Sequence, residues 1–496
     1  MFLEIDKKKS EQAAALGENG DLITYGELVD YSHYIEKMIP LRSLFFILCR
    51  NVTGSLVSYV SCVASRNVPL LLSADIDEEM LRNLIKEYRP GYIWMPVDIR
   101  EKVVSAANPV SVSECEEQHG YCLISLNNEN TKMYDELALL LTTSGSTGSP
   151  KLVRQSYDNI ESNAASIAEY LELNDTERPI TTLPMNYTYG LSVINSHLLC
   201  GAMILMTEST YAQKSFWNFF KEQKATSIAG VPFTYEILKK LRFFRMDLPS
   251  LKYMTQAGGK LLPELHKEYA EYAKEHGKRF YVMYGQTEAT ARMSYLPYDR
   301  SLEKYGSMGI AIPGGTFYLI DVDGNRFDEC DKVGELVYEG PNVTLGYAES
   351  RVDLDKGDER GGVLITGDMA KRDRDGFYYI VGRKKRFLKI YGNRINLDEC
   401  ERMLMGQFEE SEFACVGEDD HMIIYTTAKD YDTYPDDTAD NDDTANMDNA
   451  NASGLYKIIT DYISGKTGLN FKAFEVRYIE DIPKNDSGKK NYAALQ

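Results

Sequence analysis

Basic residues are in deficit: 55 Lys and Arg against 75 Asp and Glu leave a formal net charge of −20. A field of that sign repels nucleic acid and anionic membranes, so any phosphate must be held by a local site. Long apolar runs are missing as well. The opening MFLEIDKKKSEQ contains no uninterrupted hydrophobic stretch, and no secretory signal is expected from it. The most apolar later stretch, 189–206, is broken by Asn195 and His197 and reads as a buried helix and strand, not a membrane span. The eight cysteines (Cys49, Cys62, Cys115, Cys122, Cys200, Cys330, Cys400, Cys415) include no CxxC pair. Scattered in this way, they are expected as reduced core residues of a cytoplasmic protein, with zinc binding or a catalytic thiol as the alternative. Internal repeats are absent too.

What remains is ordinary globular material. Hydrophobic residues at 43% and charged residues at 26% exclude a mostly disordered chain. At 496 residues the chain exceeds one core, so two or more domains are expected. Up to about residue 382, short β-branched runs alternate with helical stretches. SLFFILC (43–49), YIWMPV (92–97) and ATSIAGV (225–231) read as strands, while EEMLRNLIKEY (78–88) and TYEILKKL (234–241) read as helices. Such alternation predicts an α/β fold of layered, mostly parallel sheets. After about residue 300 the Asp-Gly turns of DVDGN (321–325) and DRDGF (373–377) predict hairpins, hence a β-rich subdomain closing the large domain. The expected domains are 1–382 and 383–496, the second a small mobile α+β domain. Within it, the acidic low-complexity run 430–454 has too few apolar residues to pack and reads as a surface loop. It lacks the Gly and distal Glu of a calcium loop.

One stretch asks for a ligand: LLTTSGSTGSPKLVRQS (140–156). A Walker loop would need Gly, four residues and Gly-Lys-Ser/Thr, and Pro150 and Leu152 break that spacing. The physics of anion binding survives. Gly145 and Gly148 let backbone approach a phosphate, the hydroxyls of Thr143, Ser144, Ser146 and Thr147 can donate to it, and Lys151 adds a point charge.

Thr143 to Lys151 resembles the signature loop of the adenylate-forming superfamily of acyl-CoA synthetases, luciferases and peptide-synthetase adenylation domains. Further motifs follow in the family's order. YGQTEAT (284–290) resembles its Tyr-Gly-x-Thr-Glu, which implies that Tyr284 stacks on adenine, Thr287 touches the α-phosphate and Glu288 holds Mg²⁺. QAGGKL (256–261) resembles the turn lining acyl pocket and adenine, with Gly258 and Gly259. TGDMAKRDRDGFYYIVGRKKRFLKIYGNRI (366–395) resembles the hinge region, implying that Asp368 accepts the ribose hydroxyls, Arg383 sits at the ribose–phosphate side and Lys385 is the hinge. PKNDSGKKNY (483–492) resembles the family's last motif and places Lys489 as the catalytic lysine. LITYGEL (22–28), GSMGIAIPG (306–314) and GELVYEGPNVTLGY (334–347) are weaker echoes.

The implied chemistry is attack of a carboxylate on the α-phosphate of ATP, then transfer of the acyl group from acyl-AMP to a thiol. The acceptor is CoA or the phosphopantetheine of a separate carrier protein, since no carrier domain is recognised here. Rotation of the C-terminal domain between the steps is implied as well. Amino-acid-activating members carry Phe-Asp-x-Ser-Val where this chain has Tyr189-Gly190-Leu191-Ser192-Val193. A substrate ammonium facing Gly190 would lack its counter-charge, at a cost on the order of several kcal/mol. A fatty or aromatic acid without an α-amine is therefore favoured over an amino acid, in a pocket of Tyr187, Gly190, Val231 and Gly258. An amino-acid adenylation enzyme and, remotely, a nucleotide-binding pseudoenzyme are the alternatives. Two departures stand out: Asn485 replaces the usual Thr, and Tyr492 stands at the usual Arg.

Overall fold

A computed structural model of the chain describes residues 1–107, 113–126, 128, 130–142, 151–391, 393–408, 411–429, 454–484 and 490–495. It separates into two compact units. The first comprises Met1–Lys332, Val337–Thr366 and Arg372–Tyr379; the second comprises Val333–Leu336, Gly367–Lys371 and Ile380–Gln496. The acidic run at 430–453 lies outside the described residues.

The first unit is built on an eight-stranded sheet. In spatial order its strands are Gly346–Ala348, Leu152–Ser156, Leu137–Thr142, Val68–Ser73, Leu44–Cys49, Tyr92–Pro96, Tyr121–Ser125 and Ser113–Gln118. The central four run parallel, while the strands on either flank pair antiparallel. The expected mostly parallel sheet is thus parallel at its centre and antiparallel at both edges. Leu44–Cys49 explains why its sequence is continuously apolar. Phe45, Ile47 and Cys49 pack into one core with helices Thr53–Ala64, Tyr157–Leu171 and Thr188–Leu199, while Leu44, Phe46 and Leu48 pack into another with Glu78–Tyr88. Alternate side chains of a strand leave opposite faces, and both faces here are covered.

A second, five-stranded sheet starts with the parallel strands Ser227–Gly230, Tyr253–Gln256 and Arg279–Tyr284 and ends in the antiparallel Ser294–Tyr295 and Ile310–Ala311. The strands whose C-terminal ends carry Val231, Gly258 and Tyr284 are therefore neighbours, which is what brings those motifs together. The stretch 189–206 forms the helix Thr188–Leu199 and the strand Ile204–Met206. The Asp-Gly turns also appear. Asp321 Oδ1 accepts from the N–H groups of Asp323 and Asn325 between the paired strands Thr316–Ile320 and Arg326–Phe327. Among the described residues no helix is long and apolar enough to cross a membrane.

The second unit has its own core. Strands Phe387–Ile390 and Asn393–Asn396 form a hairpin, and Phe413–Glu418, His421–Thr426 and Phe474–Tyr478 form a three-stranded sheet. Leu397, Cys400 and Leu404 of helix Leu397–Gln407 and Ile459 and Ile463 of helix Leu455–Thr467 pack with Cys415, Met422 and Ile424. Free cysteines are buried at 49, 62, 122, 400 and 415, half-buried at 200 and exposed at 330. Cys330 thus departs from the core placement expected of it. The side chain of Cys115 lies outside the described residues.

Candidate active site

The first unit assembles charges from distant parts of the chain. Leu137–Thr142 and Leu152–Ser156 are buried strands that pair antiparallel, and the anion-loop sequence connects them. Thr143, Ser144, Gly145, Ser146, Thr147 and Gly148 lie outside the described residues. Lys151 is described. Strand Gly346–Ala348 pairs with Leu152–Ser156, setting Tyr347 opposite Val153, and the Lys151 ammonium rests 3.9 Å from the centre of the Tyr347 ring. Glu349 pairs with the same ammonium at 3.3 Å.

The Tyr347 hydroxyl donates to Glu288 Oε1 at 2.8 Å. Burial, with Glu288 beside it, pushes the phenol up to about 12, so it stays a donor. Lys151 and Glu288 are therefore joined through one side chain. Glu288 sits on the single turn Thr287–Ala289, whose carbonyl side is held by Arg360: Nη1 donates to Glu288 O and Thr344 Oγ1, each at 2.8 Å. The turn demands Gly285, because a Cβ there would lie 1.6 Å from Ala291 O. Tyr284 ends the strand Arg279–Tyr284, and Gln286 Nε2 donates to its hydroxyl at 3.0 Å and to Thr366 O at 3.1 Å. Three residues after Lys151, the fully buried Arg154 donates to the carbonyls of Leu345, Tyr347, Lys356 and Gly357 and pairs with Glu359. It fixes the segment that carries Tyr347.

Three expected pocket residues meet. Gly258 has φ +83°, and a Cβ on it would fall 2.6 Å from the Tyr187 hydroxyl and 3.1 Å from Val231 Cγ1. Only glycine allows both the left-handed backbone and this approach. Gly259 faces Pro232, and its carbonyl accepts from Gln256 Nε2 at 2.9 Å. Tyr187 precedes the helix Thr188–Leu199, and burial pushes its phenol up to about 12. Gly190 is not part of this group. A Cβ there would meet Pro184 O at 2.3 Å and Leu183 O at 3.0 Å, so close backbone packing by itself requires glycine.

In the second unit Asp368 is 6% exposed, and Arg383 Nε stands 3.7 Å from its Oδ1. Lys385 falls in the turn Lys384–Arg386, with its side chain outside the described residues. Lys489 lies outside them too, but its flanks are tied down. Lys484 and Lys490 form an antiparallel bridge, and Asn491 N donates to Pro483 O at 2.7 Å. Glu401, 4% exposed, accepts from Arg386 Nη2 (2.6 Å), Cys415 N (2.8 Å), Lys490 Nζ (2.7 Å) and the Tyr492 hydroxyl (2.9 Å). Arg386 also pairs with Asp398 at 2.8 Å and stacks 3.7 Å from the Tyr492 ring. Burial opposes the guanidinium charge, yet Glu401 and Asp398 outweigh it and raise its pKa. Where the family's arginine is absent at 492, Arg386 of the turn Lys384–Arg386 brings a guanidinium against the Tyr492 ring.

No motif in the sequence assigns a role to Tyr347, Arg360, Arg154, Arg386 or Glu401. Tyr347 stood at the end of the echo 334–347, which was the one signal available for it.

This is the scaffold and side-chain set of a nucleotide-handling α/β enzyme. A sequence profile described as AMP-binding enzyme matches residues 5–348, and the chain belongs to that family. Among its relatives, a probable CoA ligase of Humulus lupulus is 26% identical over 437 residues, covering 87% of this chain and 71% of that protein. A 2-succinylbenzoate–CoA ligase of a Geobacillus strain is 27% identical over 380 residues, covering 73% of each. Solved structures share the fold. ATP-bound MatB from Rhodopseudomonas palustris superposes with a TM-score of 0.76 at 21% identity, covering 100% of this chain and 97% of that one. An O-succinylbenzoate coenzyme A synthetase from Bacillus subtilis, solved with ATP and magnesium ion, gives 0.75 at 20%, covering 100% and 98%.

Proposed function

We propose that the chain is an AMP-forming acid–thiol ligase. It activates a carboxylic acid with ATP as acyl-AMP and passes the acyl group to CoA. Relatives named as CoA ligases of succinylbenzoate and as feruloyl-CoA synthases support this reading. The observation that carries it is the Lys151–Tyr347–Glu288 chain, which sets a cation for phosphate beside a carboxylate for a metal.

ATP lies with its phosphates toward Lys151 and the hydroxyls of 143–147, its adenine against Tyr284, and its ribose hydroxyls on Asp368. The acyl group occupies the Tyr187–Val231–Gly258 surface. Mg²⁺ fits the donor set: it is commonly held by one or two carboxylates plus phosphate oxygens, and Glu288 is such a carboxylate. When bound, the ion neutralises charge on the phosphates. Among the described residues no cluster of three His, Cys, Asp or Glu offers an all-protein metal cage. Thr287 and Lys489 stabilise charge on the α-phosphate as the carboxylate attacks, which is the electrostatic work such transfers need. Lys385 is the hinge about which residues 383–496 move between the half-reactions. The free thiols suit a reducing cytoplasm, the compartment proposed here.

The decisive measurement is ATP–pyrophosphate exchange across a panel of acids, repeated with CoA to detect thioester. Exchange is expected with carboxylic acids lacking an α-amine. Exchange driven by amino acids and by no simple acid would overturn the reading. Lys489→Ala is expected to abolish exchange while sparing thioester formation from supplied acyl-adenylate; equal loss of both would remove Lys489 from its role.

A further inference from the structure

Lys385, read above as the hinge, stands between residues anchored to different parts of the chain. Before it, Arg383 faces Asp368 at 3.7 Å and Lys384 pairs with Glu335 at 2.8 Å. After it, Arg386 pairs with Asp398 at 2.8 Å and with Glu401 at 2.6 Å. One side chain reaches back across this division. Asn396 Oδ1 caps the helix Leu397–Gln407, accepting from Asp398 N at 3.0 Å and Glu399 N at 3.4 Å. Its Nδ2 donates to Val381 O at 2.8 Å. The amide thus uses its oxygen on the far side of Lys385 and its nitrogen on the near side.

The near side is shaped to receive it. Val381, in the second unit like Asn396, lies in Tyr378–Arg383, the edge strand of a five-stranded sheet, where a carbonyl can lack a strand partner. The next residue is the buried Gly382. A Cβ on it would fall 2.4 Å from Asn396 Nδ2, 2.8 Å from Oδ1 and 2.9 Å from Cγ, so a side chain there displaces the amide. Gly382 is not among the glycines of positive φ, so the contact with Asn396, and not the backbone conformation, excludes a Cβ.

We infer that the Asn396–Val381 hydrogen bond is a latch on the hinge, closed over Gly382 and broken when residues 383–496 turn. Val381 and Asn396 lie on opposite sides of Lys385 in sequence, so turning about that residue parts them. A contact made in one of two conformations, and not in the other, shifts their populations by its own free energy. The latch thereby biases the enzyme between adenylation and thiol transfer. The inference rests on the ligase reading and its hinge, and names the side chain that regulates that hinge.

The test measures two single-turnover rates in one preparation: acyl-AMP formation from ATP and acid, and thioester formation from supplied acyl-AMP and CoA. Asn396→Ser keeps a capping oxygen and loses the donor to Val381, whereas Gly382→Ala keeps the donor and pushes it away. Each is expected to change the ratio of the two rates by about fivefold, both in the same sense. Gly382→Ala is also made in an Asn396→Ala chain, where the three atoms its Cβ would meet are gone. There it is expected to change the ratio by less than about twofold. A ratio that Asn396→Ser leaves unchanged overturns the latch, and so does a Gly382→Ala effect that persists in Asn396→Ala. Shifts of opposite sense in the two single variants overturn it as well. All three of these outcomes leave the ligase standing. If no acid gives acyl-AMP with ATP, the ligase reading itself falls, and the latch with it.

Discussion

Tyr347 is the residue on which the charge arrangement of the first unit turns. Its ring carries Lys151 and its hydroxyl orients Glu288, so one substitution can separate the two contributions. Tyr347→Phe keeps the ring and deletes the donor. Pyrophosphate exchange is expected to fall about tenfold, with a higher Mg²⁺ requirement and a stability loss of about 1 kcal/mol. An unchanged Mg²⁺ titration would show that Glu288 needs no orienting. At this scale the sequence was legible where a motif is local and silent where a contact crosses the sheet. Gly258 was marked by its neighbours in QAGGKL, whereas Tyr347 meets Lys151 only because Gly346–Ala348 pairs with Leu152–Ser156. Gly190 carries a different lesson. It read as a lost aspartate, but the Pro184 carbonyl leaves no room for any side chain.

At the scale of elements, the second unit gathers three segments on one carboxylate. Glu401 joins helix Leu397–Gln407 to Arg386 of the turn Lys384–Arg386 and to Lys490 and Tyr492, which flank Lys489 in sequence. Glu401→Gln would leave two buried cations facing a neutral amide, a loss of about 3 kcal/mol. Urea denaturation of the full chain measures it. The same variant is expected to slow adenylation more than thioester formation from supplied adenylate, because the tether of the lysine segment is what it loosens. Equal slowing of both steps would assign Glu401 to folding alone. The departure at Tyr492 was readable as a gap in a motif. The stacking of Arg386 on Tyr492 was not, because that contact joins two turns far apart in sequence. The sheets follow the same rule: apolar runs announce the central parallel strands, while antiparallel edges have no signature until their partners are known.

For the whole molecule, two buried histidines set a limit on acid tolerance. Burial lowers His197 and His266 to about 4 each from an ordinary 6.5. His266 Nδ1 accepts from Gly306 N at 3.1 Å while Nε2 faces Ser301 Oγ at 2.8 Å, so protonation would set two donors against each other. His197 sits between Val193 O and the Tyr253 hydroxyl. Both native-state values lie below those of the unfolded chain, so their contribution is complete above pH 6.5 and is lost as pH falls toward 4. Between pH 7.5 and pH 5 the loss is expected to be about 2 kcal/mol per histidine. A denaturation midpoint that stays flat across that interval would refute it.

The second unit draws on three separate stretches of chain, and its ion pairs bind those stretches to one another. Asp368 faces Arg383 at 3.7 Å, and Glu335 holds Lys384 at 2.8 Å. Recombination between related enzymes at a single junction near residue 383 would therefore inherit the acids from one parent and the cations from the other. A chimera that exchanges whole units needs several junctions, or parents that already agree at 335, 368, 383 and 384.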